Sequence, residues 1–275
     1  MKRQWLLLLL PVGLIAVFWT INRVRERREA DSKPWAKVGN VALSRPEVVS
    51  ANEVKVEDIM PTSDAKPDAP LAKEFVDQLS EGLKEHLKDY PDDTDGYYNL
   101  GNVYYKGGRY EEAVDPLRKA ITQHPEDPDA HYLLGNTYQK LHRYPDAARE
   151  FREVTHLEPQ NETAFYNLGN AYNQVKNYQA AADSYNKSVH INPRNSIAHY
   201  ALAWTYSQLN KENEAIAEYR EAIKLDPDNA DVRYLLARLQ IKNGDRQGAL
   251  EQYDYLKRIN PPYAADLQKR MNPQG

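Results

Sequence analysis

From Thr94 onward, apolar and small residues return in fixed columns every 34 residues. With Thr94 as position 1, positions 4, 7, 8 and 11 read Tyr97, Leu100, Gly101 and Tyr104 in the first copy. The second copy gives His131, Leu134, Gly135 and Tyr138, and the third gives Phe165, Leu168, Gly169 and Tyr172. At 100° per residue these four positions share one stripe, which predicts an amphipathic helix. Positions 20, 24 and 27 form a second stripe, Ala113, Leu117 and Ala120, then Ala147, Phe151 and Val154, and predict a second helix. Between them lie polar turns such as Lys106-Gly107-Gly108-Arg109 and Lys242-Asn243-Gly244-Asp245, where glycine tolerates a positive φ. Pro125, Pro159, Pro193, Pro227 and Pro261, on the same spacing as Pro91, close each second helix because proline cannot continue the hydrogen-bond ladder. Each period is therefore a hairpin of two antiparallel helices, copied in tandem into an all-α stack.

This pattern resembles the tetratricopeptide repeat (TPR). Segments such as Tyr98-Asn99-Leu100-Gly101-Asn102 and Tyr166-Asn167-Leu168-Gly169-Asn170 carry the resemblance most closely. It implies an α-solenoid, a right-handed superhelix of helical hairpins. Five copies, 94–127, 128–161, 162–195, 196–229 and 230–263, cover 170 of the 275 residues. Ala203 and Ala237 replace the glycine of position 8, and Gln240 replaces the tyrosine of position 11, which puts the outer packing of the last copy in question. Ahead of the array, Phe75, Leu79, Leu83 and Leu87 predict a lone capping helix within 71–93, and Pro61, Pro67 and Pro70 prevent a partner helix before it. After it, Tyr263, Leu267 and Met271 line one face of a final capping helix over 262–275.

The apolar run at the start reads differently. Gln4 to Asn22 carry no charge, and 19 residues of helix span about 28 Å, close to the hydrocarbon thickness of a bilayer. Trp5 and Trp19 stand near its ends, where interfacial aromatics belong. A transmembrane anchor over 1–22 follows. A cleavable signal peptide is the competing reading, but no small-x-small site follows the apolar core, and Arg23, Arg25, Arg27 and Arg28 come directly after it. The excess of Lys and Arg on the C-terminal flank favours a cytoplasmic repeat domain, whereas the short basic N-terminus favours export to the periplasm. Residues 23–70 read as a basic juxtamembrane segment and a disordered, mildly acidic linker with a reach on the order of 30 Å.

Composition narrows the chemistry. The chain has 36 basic and 40 acidic side chains, a balance that suggests no nucleic-acid surface, and with no cysteine it has neither disulfides nor a cysteine metal site. The seven histidines form no HExxH motif, no glycine-rich phosphate loop is present, and Glu111-Glu112 suit the start of a helix. His131 and His199 fall at position 4 of the apolar stripe. The sequence predicts no enzyme and no cofactor.

Positions 5, 9 and 12 lie away from the core stripe and predict a separate exposed column, which in the TPR family lines the concave groove. The candidate peptide-binding residues are Tyr98, Asn99, Asn102, Tyr132, Asn136, Tyr166, Asn167, Asn170, Tyr200, Trp204, Tyr234 and Arg238. Asn side chains can pair with both sides of a peptide backbone, and tyrosines supply stiff amphipathic area. Members of the family that clamp a chaperone's C-terminal carboxylate use basic groove residues, and tyrosine at position 5 argues against that role here. The reading is a membrane-tethered scaffold for a protein or peptide partner. Its rivals are a self-assembling structural homo-oligomer and a noncatalytic subunit of a membrane enzyme.

Overall fold

The computed structural model describes residues 73–272, which form twelve α-helices and, among the described residues, no strand. The expected anchor at 1–22 and linker at 23–70 lie outside the described residues, and no described helix is long and apolar enough to cross a membrane. A lone helix, α1 (Lys73–Asp89), is followed by five hairpins. These pair α2 (Thr94–Lys106) with α3 (Tyr110–Gln123), α4 (Pro128–Lys140) with α5 (Tyr144–Leu157), and α6 (Glu162–Gln174) with α7 (Tyr178–Ile191). Then come α8 (Ser196–Gln208) with α9 (Glu212–Leu225), α10 (Ala230–Lys242) with α11 (Arg246–Ile259), and a closing α12 (Pro261–Met271).

The boundaries are set by local chemistry that repeats with the period. Asp93, Asp127, Asn161, Asn195 and Asn229, at position 34, each accept a backbone N–H in the first turn of the following first helix. Each such cap satisfies a donor that the helix leaves orphaned and contributes about 1 kcal/mol. The second helices stop two residues before the recurrent proline in all five repeats. Pro261 differs from the other four because it is the first residue of α12, where its fixed φ suits a helix start, so the cap begins one residue before the expected boundary. Glu111 and Glu112 lie within the first turn of α3.

Inside each hairpin, position 24 of the second helix packs onto position 8 of the first. A Cβ added at Gly101 would lie 2.5 Å from Leu117 Cγ, and one at Gly169 would lie 2.6 Å from the Tyr185 ring. Leu117, Phe151 and the alanines of position 20 are fully buried beside these glycines. At the outer edge, Arg109 lies over the Tyr104 ring, Arg143 over Tyr138 and Lys211 over Tyr206, so in these three repeats the position 11 tyrosine is roofed by a position 16 cation. The last repeat solves the same edge with different residues. Gln240 is buried and donates to Asp245 Oδ2 at 2.9 Å, and Gly248 leaves the room it needs, since a Cβ there would lie 1.9 Å from Gln240 Nε2.

Candidate functional site

The candidate surface is the outer face of the first helices, α2, α4, α6, α8 and α10. The structure corrects one expectation about it: the position 5 tyrosines are not an exposed column, because all five are half-buried. The sequence wheel places them off the core stripe, but in the second, third and fourth repeats a large ring at position 24 reaches up to meet them. Tyr132 contacts Phe151 edge-on with ring centroids 5.7 Å apart, Tyr166 tilts over Tyr185 at 5.7 Å, and Tyr200 over Tyr219 at 6.4 Å. Asn167, from the next hairpin, donates its amide to the Tyr132 hydroxyl at 3.0 Å. These rings are part of the packing between helices and also form the floor of the face.

The amides of position 9 divide into two groups. Asn170 Oδ1 accepts from the Tyr185 hydroxyl at 2.7 Å. Burial pushes the Tyr185 phenol well above its usual range, so it stays protonated and remains a donor. Burial likewise raises Tyr219, to about 12. Asn102 and Asn136 are half-buried, and among the described residues no hydrogen bond holds either side-chain amide. Asn99 is half-buried beside Tyr98 on the same helix, α2. Next to this run, between the second and third hairpins, lies a cleft of about 270 Å³ lined by Pro128, Asp129, Tyr132, Val154, Glu158, Asn161 and Thr163.

Toward the C-terminus the face becomes apolar and then closes. Ile197 stands 60% exposed at position 2 of the fourth repeat, on the same helix as half-buried Tyr200 and Trp204, and Trp204 meets Tyr178 edge-on at 6.0 Å. Nothing of the described chain covers Ile197 well. In the fifth repeat α12 occupies the face itself. Tyr263 stacks on Tyr234 with centroids 4.4 Å apart and donates to Asp231 Oδ1 at 2.7 Å, while the Tyr234 hydroxyl donates to Asp266 Oδ2 at 2.7 Å. Arg270, first, and Tyr234 hold the Asp266 carboxyl below its usual range. Arg238 remains exposed, with its guanidinium 5.6 Å from the Tyr234 ring centroid. Lys242, another base on this helix, is paired with Glu212. Tyr234 is thus separated from the outer face of the first four repeats by its contacts with α12.

Two sequence models described as tetratricopeptide repeat match residues 132–196 and 184–217, and a third, described as TPR repeat, matches 101–142 and 205–244. Among curated proteins no sequence matches. Among solved structures, YrrB is similar at 22% identity and a TM-score of 0.62, covering 69% of this chain and 99% of its own. MamA from Desulfovibrio magneticus RS-1 is similar at 23% identity and a TM-score of 0.57, covering 62% and 96%. PilF of Pseudomonas aeruginosa is similar at 22% identity and a TM-score of 0.55, covering 71% and 90%. At these identities the likeness is one of fold. The sequence matches run unbroken from residue 101 to residue 244, more than half of the chain, across the hairpins that pack as described, and the chain belongs to the tetratricopeptide repeat family.

Proposed function

We propose that this protein is a noncatalytic scaffold that takes an extended peptide along the outer face of its first four first-helices. The observation that carries the reading is the pair of unheld amides, Asn102 and Asn136, one repeat apart on a floor of half-buried tyrosines. A half-buried amide without a protein partner is costly to leave dry, and a peptide backbone offers both the donor and the acceptor it lacks. Farther along, Ile197 and Trp204 offer an apolar seat for one side chain of the same peptide. YrrB, described as a TPR protein with an unusual peptide-binding site, supports peptide binding on a stack of this kind. The array is held at a membrane by the segment 1–22, with the repeats on the cytoplasmic side.

Panning a random-peptide display library against the purified chain tests the site. Enriched peptides should bind at least tenfold more weakly to Asn102→Ala/Asn136→Ala, since a hydrogen-bonded recognition site loses about 1–3 kcal/mol per unmet polar group. Peptides that bind this variant and the parent equally well would exclude the face. The tether is checked separately by alkaline carbonate extraction and by protease added to intact spheroplasts. Release by carbonate would remove the anchor, and digestion of the repeats from outside would reverse the orientation.

A further inference from the structure

Position 4 of the repeat, on the buried stripe of the first helix, carries a polar clasp in three of the five hairpins. In the second, His131 is 6% exposed, with Nδ1 2.8 Å from Glu150 Oε2 and Nε2 3.0 Å from the Pro125 carbonyl. In the fourth, His199 is 8% exposed, with Nδ1 2.6 Å from Glu218 Oε2 and Nε2 3.1 Å from the Pro193 carbonyl. In both hairpins the ring joins the loop that delivers the chain to its own second helix. Each ring thus stands between a carboxylate and a peptide carbonyl.

Both partners accept, and a neutral imidazole has a single N–H to give. The two contacts are hydrogen bonds together only when the clasp holds one proton more than neutral histidine plus ionised glutamate. In such a pair the imidazole is the stronger base, so the extra proton makes the ring an imidazolium with both nitrogens protonated. The fifth hairpin fills the same position with a cation that cannot lose its proton. Arg233 donates from Nε to the Pro227 carbonyl at 2.7 Å and from Nη1 to Gln252 Oε1 at 2.8 Å. There the acceptor on the second helix is a neutral amide in place of a carboxylate. The first and third hairpins have no clasp of this kind: Tyr97 accepts from Lys119 at 2.9 Å, and Phe165 is apolar.

We propose that His131 and His199 are proton-operated clasps that lock the loop preceding the second and fourth hairpins onto those hairpins, with Arg233 as the proton-independent version of the same device. When the extra proton leaves, one end of each bridge faces acceptor against acceptor, and the loops at 124–127 and 192–195 lose their hold on α5 and α9. The array then loosens at two joints and keeps the third.

The charges around the clasps are one-sided. His131 faces Glu150 and Glu153 of α5. The Asp127 carboxylate in its loop is turned to the backbone N–H of Asp129, and on neighbouring α3 Lys119 is engaged with Tyr97 while Arg118 acts on Tyr138. His199 faces Glu218 of α9, whereas Lys187 and His190 of α7 and Arg194 of the loop are exposed. Burial alone pushes the His131 imidazole down, but its hydrogen bonds to Glu150 and the Pro125 carbonyl, with the Glu150 and Glu153 charges, outweigh burial and raise it above its ordinary 6.5. A group that holds its proton more tightly in the folded state stabilises the fold in full below its unfolded pKa. That contribution is lost as pH rises through the folded pKa.

The test uses the full-length chain in detergent, with urea midpoints recorded from pH 5.5 to 8.5 and ring ¹⁵N shifts read on histidine-labelled protein. The wild-type midpoint should fall as pH rises. The fall should shrink in His131→Gln and be largely lost in His131→Gln/His199→Gln, while His156→Gln/His190→Gln, at exposed positions, should keep it. Transplanting the fifth-repeat pair as His131→Arg/Glu150→Gln and His199→Arg/Glu218→Gln should give a flat profile with the fold retained. At pH 5.5 the ¹⁵N shifts of the wild type should show both nitrogens of both rings protonated, which does not depend on any variant folding. A single neutral tautomer for both rings across the whole range would overturn the proposal, as would an undiminished fall in the double glutamine variant.

Discussion

Position 15 turns through left-handed backbone in every hairpin, at Gly108, His142, Lys176, Asn210 and Gly244, with φ between 56° and 76°. The sequence displays the need for positive φ only at the two glycines, because the middle three copies fill the site with residues that are strained there. A non-glycine residue in this region costs roughly 1 kcal/mol, offset in part by the greater freedom that glycine has in the unfolded chain. The Lys176 side chain makes no hydrogen bond or ion pair among the described residues, whereas His142 gains a 2.7 Å hydrogen bond with the Tyr144 hydroxyl. Lys176→Gly is expected to raise stability by about 0.5–1 kcal/mol in urea titration, and His142→Gly by less. The capping Asp and Asn of position 34 repeat at the same period, but in sequence a polar column between helices is indistinguishable from ordinary loop, and only the accepting geometry reveals the caps. Buried positions 7 and 8 are legible because leucine repeats at the first and a small residue at the second, whereas position 4 changes character from Tyr97 and Phe165 to His131, His199 and Arg233.

At the scale of one helix, hydrophobic period located both members of every hairpin, and the period is what the structure follows. What it could not convey was how far a side chain reaches across to its neighbour. The half-burial of Tyr132, Tyr166 and Tyr200 depends on ring size at position 24, so a wheel drawn for the first helix alone places these tyrosines in solvent. Asn102 and Asn136 recur at position 9 in the sequence, and among the described residues neither side-chain amide is held by a neighbour. Helix α3 contains an oddity that neither stripe predicts: Pro116 sits in its interior and is buried. An interior proline removes one ladder hydrogen bond and crowds the preceding turn, at a cost of about 3 kcal/mol relative to alanine, against which the packing of its ring gives back a part. Pro116→Ala should therefore stabilise the chain by about 1–2 kcal/mol. An unchanged or lowered urea midpoint would mean that the ring's packing outweighs the missing hydrogen bond. Gly169→Ala should act in the opposite direction. The added methyl would meet the fully buried Tyr185 ring at 2.6 Å, and overpacking of this kind costs about 1–3 kcal/mol, read from the same titration.

Across the whole molecule the number and order of hairpins could be counted from the prolines, but the closure of the outer face by α12 could not, because it rests on contacts between Tyr263, Asp266 and residues 32 positions away. The core is correspondingly divided. One buried cluster runs from Val76 to Ala171, two more lie around Tyr185 and Tyr219, and the last joins Ala237 and Leu256 to Ala264 and Leu267 of α12. Helix α10 contributes to both of the final two, with Val232, Leu236 and Leu239 facing the fourth repeat and Ala237 facing the cap. In such a stack each unit is stabilised by its neighbours alone, so damage at one end should stay local. Removing residues 261–275 strips the cover from Leu256 and Ala237 and takes Leu267 away, a loss on the order of 3 kcal/mol for the fifth repeat. Hydrogen exchange should then show α10 and α11 opening much faster, α8 and α9 moderately faster, and α2 to α5 at the rates of the intact chain. Equal acceleration in all five hairpins would mean that the array unfolds as one cooperative body. The clasps at His131 and His199 would then act on the stability of the whole, and no longer on two joints within it.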